Sequence, residues 1–222
     1  GSLIIDSSKI LMNESRDDEK IKKAQTVASS ILSQMLNISN VNDLEFNRQN
    51  LSPEIVEAVK NSLKANIFSD DTTIRDNCCK IYSFLIATLT TNWQDGIDYI
   101  INSFSNTDLL PNGFINLFLI LRNIVNQINF TNEIIEPFNQ QFIQTLSISL
   151  TIISKEPTEE KYTSTLRSSC INYMSDFIKI SPKVIKISED DTTSNITIPS
   201  ILNRLSNSFQ IYDVDLYTSI QL

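Results

Sequence analysis

The side chains that could do chemistry in this chain are Cys78, Cys79 and Cys170 and several adjacent acid pairs, Asp70/Asp71, Glu159/Glu160 and Asp190/Asp191 among them. Neighbouring thiols beside carboxylates suggest metal ligation or redox work, and paired carboxylates suggest general acid–base catalysis. Spacing argues against both. On a helix Cys78 and Cys79 stand about 100° apart, so they cannot address one ion together. The chain has no histidine, which removes Ser-His-Asp and Cys-His catalysis, His metal sites and the usual base near neutral pH. The acid pairs fall at helix starts or in a loop, and at a helix start the macrodipole favours negative charge without any catalytic purpose. The cysteines read as small apolar core residues. The expectation is a protein with no catalytic residues, no metal site and no cofactor.

The elements that would position these groups are helices. Only three glycines occur, Gly1, Gly96 and Gly113, so glycine-dependent hairpins, phosphate loops and nucleotide fingerprints cannot be built. In the stretch FSDDTTIRDNCCKIYSFL, Asp70, Asp71, Thr72 or Thr73 can cap a helix start. Ile74, Cys78, Ile81, Leu85 and Leu89 then follow at helical spacing. From Glu159 onward the order recurs: Leu166, Cys170, Tyr173, Phe177 and Ile180 share the spacing. Ile74-Arg75 and Leu166-Arg167 each precede a cysteine four residues after the apolar residue.

The chain therefore reads as helix pairs: Leu3–Leu11 with Glu19–Leu36, Pro53–Phe68 with Thr72–Leu89, Trp93–Phe104 with Phe114–Ile128, Glu133–Ile153 with Glu159–Ile180, and Ile198–Phe209 with Asp213–Leu222. The stripe of the first pair's second helix is assigned to Ala24, Val27, Ala28, Ile31 and Met35. Anchors at Ala24, Ile74, Phe114 and Leu166 lie 50, 40 and 52 positions apart, near the period of HEAT and armadillo units. The expected fold is all-α, an α-α superhelix: a right-handed solenoid of antiparallel helix pairs. Its repeats are placed at 3–36, 51–90, 93–129, 133–181 and, truncated, 197–222. A single closed helical bundle is the rival. Residues 37–50 read as a connection and Ser188–Asn195 as a solvated acidic loop. Trp93 is expected to wedge between adjacent repeats. Gly1-Ser2 reads as a cloning scar, and the missing initiator Met suggests an excised fragment.

The chain has 222 residues and a net charge of −8, with a mean hydropathy of −0.09 and a pI near 4.6. An acidic surface argues against nucleic acid, whose phosphates need basic side chains. It suits a basic partner, or simple solubility through self-repulsion. No apolar run approaches the roughly 20 residues that span a bilayer.

The stretch LSPEIVEAVKNSLKANIFSDDTTIRDNCCKIYSFLIATLTTNWQDGIDYII (Leu51–Ile101) resembles the N-terminal HEAT repeats of importin-β-type karyopherins. The shared features are an Asp turn leading to an Ile-Arg helix, then a link whose Trp opens the next repeat. Leu3–Leu36 resembles the family's second repeat, and Ile211–Leu222 is similar to the start of a sixth repeat's second helix. The resemblance implies a non-catalytic nuclear transport receptor that shuttles between cytoplasm and nucleus. It implies that the second helices bind Ran-GTP, and it places that contact on Asp76, Asn77, Lys80, Arg122, Asn123 and Asn126. It also implies nucleoporin Phe-Gly repeats between outer helices. Leu146, Leu150 and Ile201 would wall that groove, although Ser200 stands where an aromatic residue is expected. Cargo or importin-α would bind later repeats. Arg75 is assigned to an internal Asp–Arg ladder between repeats. A HEAT scaffold or regulatory subunit outside nuclear transport is the alternative function.

Overall fold

The computed structural model describes residues 2–13, 18–35, 52–89, 93–127, 139–155 and 160–180. Among these residues there are eight α-helices and no strand: α1 (Ser2–Leu11), α2 (Glu19–Met35), α3 (Pro53–Asn66), α4 (Thr72–Leu89), α5 (Gln94–Ser103), α6 (Asn112–Gln127), α7 (Asn139–Ile153) and α8 (Ser164–Ile180). A 3₁₀ turn at Thr107–Leu109 precedes α6. The expected connection at 37–50, the loop Ser188–Asn195 and the fifth pair at 197–222, with Ser200 and Ile201, lie outside the described residues.

The helix starts follow from capping chemistry. Ser52 accepts from the Ile55 amide ahead of Pro53, whose missing N–H costs nothing in the first turn. Of the candidate caps in the Asp-Thr run, Asp71 is the one used: its Oδ1 accepts from the Thr73 and Ile74 amides at 2.9 and 3.1 Å. Thr163 serves α8 in the same way, its hydroxyl accepting from Leu166. Asp18 caps α2 through Lys20.

These caps set a common register on the second helices. The amide four residues on donates to the backbone carbonyl of Asp18, Asp71, Pro111 and Thr163 in turn. Seven residues beyond each stand Gln25, Cys78, Phe118 and Cys170, and all are buried. Ten beyond stand Ala28, Ile81, Leu121 and Tyr173, and fourteen beyond stand Leu32, Leu85, Val125 and Phe177, buried likewise. In this register Ile21, rather than Ala24, corresponds to Ile74, Phe114 and Leu166. The stripe assigned to α2 is corrected with it. Ala28 is buried, but Ala24, Val27 and Met35 are exposed, and the buried face is Gln25, Ala28, Ser29 and Leu32.

Gly113 is the helix-start glycine whose role is steric. It lies inside α6, and an added Cβ there would sit 2.5 Å from the Leu109 Cβ. A side chain at this position would push the 3₁₀ turn away from α6.

Residues Gly1–Trp93 and Gln94–Leu222 form two compact units. In the first, α1 packs on α2 and α3 on α4, and α1 also packs on α3 and α2 on α4. In the second, α7 packs on α8, α5 on α7 and α6 on α8. Within each unit, first helices lie on first helices and second helices on second. That packing is compatible with an α–α repeat.

The two cores differ in character. The first is aliphatic, closed by Trp93 against Tyr82 with ring centroids 4.6 Å apart. The second has an aromatic seam. Phe104 contacts Phe114 and Phe118, Phe118 meets Tyr173, and Phe177 meets both Tyr173 and Phe142, with centroids between 4.9 and 6.2 Å apart. The Tyr173 hydroxyl is not left orphaned, because it pairs with the Thr145 hydroxyl at 2.6 Å.

Candidate partner surface on the second helices

Asp76, Asn77 and Lys80 lie on α4, and two of the three are already engaged within the first unit. Asn77 donates to the hydroxyls of Ser29 and Ser30 on α2 at 3.1 and 3.3 Å. Asp76 is half-buried and its Oδ1 lies 3.5 Å from the Arg75 Nε. Lys80 is exposed. Arg75 therefore pairs with its own neighbour. The ionic link between α2 and the start of α4 is Lys22 with Asp71 at 3.8 Å. In the first unit the place expected of Arg75 in an Asp–Arg ladder is thus taken by other residues: a lysine with an aspartate, and an Asn–Ser hydrogen bond. Half-exposed pairs of this kind contribute about 1 kcal/mol or less.

In the second unit Arg122, Asn123 and Asn126 lie on α6. Asp176 of α8, a residue no motif pointed to, gathers two of them. Its Oδ2 accepts from the Arg122 Nε at 2.9 Å and from the Asn126 Nδ2 at 3.2 Å. The Nδ2 of Asn123 is buried without a hydrogen-bond partner. The sequence signal for Asp176 was only its place on the second helix of the next pair, on a flank that periodicity leaves polar.

Of the expected groove residues, Leu146 and Leu150 are buried within the second unit. They fill core space and do not present an exposed wall. Ile201 lies outside the described residues.

All three cysteines are free and buried. Cys79, about 100° from Cys78, is buried too because α4 is enclosed on nearly every side from Ile81 to Ile86. Its Sγ faces the Ile67 carbonyl at 3.8 Å. Burial pushes the Cys78 thiol from 9.0 up to about 12. It moves Cys79 and Cys170 in the same direction, with the Arg167 charge opposing part of the shift at Cys170. The three thiols should fail to react with a disulfide reagent such as DTNB in the native protein and should react in denaturant; fast native labelling of any of them would contradict this burial.

The shifts also carry a pH dependence. Above pH 9 the unfolded thiols ionise while the folded ones stay protonated, so the unfolded state binds fewer protons and stability falls as pH rises toward about 12. The slope is about 1.4 kcal/mol per pH unit per thiol. Denaturant midpoints measured between neutral pH and pH 11 should fall accordingly, and a flat profile would oppose the assignment.

Among the described residues no group of three or more Cys, Asp or Glu could hold a metal ion, and no helix is long and apolar enough to cross a membrane. The arrangement offers hydrogen bonding and charge on the second helices, with Lys80 and Asn126 exposed and Asp76 partly so. No family model, curated protein or solved structure matches the chain.

Proposed function

We propose that this chain is an N-terminal HEAT-repeat fragment of an importin-β-type karyopherin. In this reading it is a non-catalytic, right-handed solenoid that shuttles between cytoplasm and nucleus and binds Ran-GTP on its second helices. The observation that carries the reading is the shared register of α2, α4, α6 and α8, with second helices stacked on second helices inside each unit. Within each unit such stacking sets the polar flanks of two second helices side by side. Lys80 is the residue of the expected set best placed to meet it, with Asp76 and Asn126 beside the internal ladders. Nucleoporin Phe-Gly binding drops to a minor proposal, since Leu146 and Leu150 are core residues. Cargo and importin-α would engage later repeats.

The engagement of Asn77, Arg122 and Asn126 by Ser29, Ser30 and Asp176 favours a second reading. In it the polar residues join neighbouring helix pairs, and the chain is a HEAT scaffold or regulatory subunit outside transport. Calorimetric titration separates the two. Binding of Ran loaded with a non-hydrolysable GTP analogue and not of Ran-GDP, weakened about tenfold by Lys80→Glu, supports the receptor. Failure to bind either form moves the assignment to the scaffold.

A further inference from the structure

Arg167 carries a charge that no carboxylate among the described residues answers. Its side chain is fully buried, and its Nε and Nη1 have no hydrogen-bond partner. Asp176, the acid of the same helix, is committed to Arg122 and Asn126. Ahead of the helix the exposed Glu160 and Lys161 offset each other. Buried charges in folded proteins are otherwise paired, and an unsatisfied one calls for an ion or a water to meet it.

The place of this charge in α8 says what would meet it. Side chains on an α-helix lean toward its N-terminus, so a residue covers the turn before its own Cα. For Arg167 that turn begins at the cap, Thr163, whose carbonyl accepts from the Arg167 amide. The Thr163 hydroxyl takes the Leu166 amide at 3.3 Å. The amides of Ser164 and Thr165 have no partner within the helix, and no acidic residue stands in its first turn. The guanidinium, these amides and the positive end of the macrodipole therefore converge, and each favours an anion. Thr163 and Ser164 are half-buried and Thr165 is exposed, so the helix start opens to solvent at the edge of the core.

We propose that the start of α8 binds a small oxyanion, phosphate or sulfate, through the Arg167 guanidinium and the Ser164 and Thr165 amides. An oxyanion meeting either edge of the guanidinium supplies the counter-charge and takes up a buried donor in a charge-assisted bond. The inference does not depend on the transport reading, because it involves neither Lys80 nor the flank that Asp176 shares with α6.

Thermal melts of the full chain in inorganic phosphate, against chloride at matched ionic strength, test it. The wild-type midpoint should rise and saturate, by about 3–6 °C at ten times the dissociation constant. Sulfate should act in the same way. Arg167→Met, more stable than wild type in chloride, should lack the saturable rise and lose much of its lead in phosphate. Arg75→Met removes the cation at the matching position of α4 and should respond as wild type does. Equal rises in wild type and Arg167→Met would reflect general exclusion of the salt from the surface and would overturn the proposal. A flat wild-type midpoint would overturn it too. If Arg167→Met does not fold, equilibrium dialysis of the wild type against radiolabelled phosphate decides: one site per chain supports the proposal, and no binding overturns it.

Discussion

Trp93→Ala should cost the first unit about 3–5 kcal/mol, the largest loss expected from any single truncation there. The indole is fully buried and leads the buried side chains by volume. It lies tilted against Tyr82, and the Lys60 ammonium sits 5.2 Å from its ring centroid. These contributions are unequal. The cation–π contact is worth about 0.5–1 kcal/mol, so Lys60→Met should barely move the midpoint. The cavity left by the missing ring dominates.

The indole Nε1 complicates the ledger usefully, because it is buried with no hydrogen-bond partner. An orphan donor costs about 1–3 kcal/mol. Trp93→Phe removes that cost while keeping much of the apolar bulk, so it should lose far less than alanine. Urea unfolding of the three variants, followed by far-ultraviolet circular dichroism, orders them directly. A loss under about 1 kcal/mol for Trp93→Ala would mean the ring is not a closing element of the unit. Because Trp93 is the single tryptophan, wild-type fluorescence should report unfolding of this corner as a red shift.

The second large effect has the opposite sign. Arg167 is fully buried, and its Nε and Nη1 lack hydrogen-bond partners. It also stands in the first turn of α8, near the end of the macrodipole that disfavours a cation. Desolvation, two unpaired donors and the helix field all act against it. Arg167→Met keeps a comparable volume without the charge and should stabilise the protein by roughly 1–4 kcal/mol, the range seen when buried ions give way to packed apolar groups. Arg167→Ala should destabilise instead, since it trades the charge for a cavity. Arg75 holds the same register position on α4 but is half-buried, and its Nε, though without a hydrogen-bond partner, lies 3.5 Å from the Asp76 carboxylate. Arg75→Met should therefore be close to neutral. Thermal melts of all three variants distinguish these outcomes. Marked destabilisation by Arg167→Met would show that the guanidinium is held by a partner strong enough to outweigh its burial.

How much of this was legible beforehand varies from helix to helix. On α4 the order of cap, branched apolar residue, arginine and cysteine was readable, and on α8 the last three of these were, because each signal is local. Asp71 and Thr163 bind amides two or three residues away, and Cys78 and Cys170 fall on a stripe that periodicity fixes. The bounds of α4 were read correctly, while α6 begins at Asn112 and α8 at Ser164 where Phe114 and Glu159 were expected. Asp176 was not legible as a partner of Arg122. The two are 54 positions apart in sequence, and nothing in one helix announces which residue of another will face it.

The first helix pair shows the limit most clearly. Hydropathy favoured Ala24, Val27, Ala28, Ile31 and Met35 as the inner stripe of α2, yet of these only Ala28 is buried, and the helix turns Gln25, Ser29 and Leu32 inward with it. The reason is a backbone need that hydropathy does not register. The last carbonyls of α1 have no partner within their own helix. The Gln25 amide reaches the carbonyls of Ile10, Leu11 and Asn13, at 2.9 Å for Asn13, and Asn66 of α3 binds Leu11 at 2.8 Å. A buried glutamine that satisfies a helix end outweighs a valine left in water, because an orphaned buried carbonyl costs more than an exposed isopropyl group.

By itself the sequence determined the helical character of the described residues, a short run of candidate caps for α4, the buried thiols and the lack of histidine, since each depends on residue type and near neighbours. Only the tertiary structure decided which face of α2 turns inward, which acid meets Arg122 and which of the expected contact residues on α4 stays exposed. Those choices depend on donors and acceptors that come together across tens of residues.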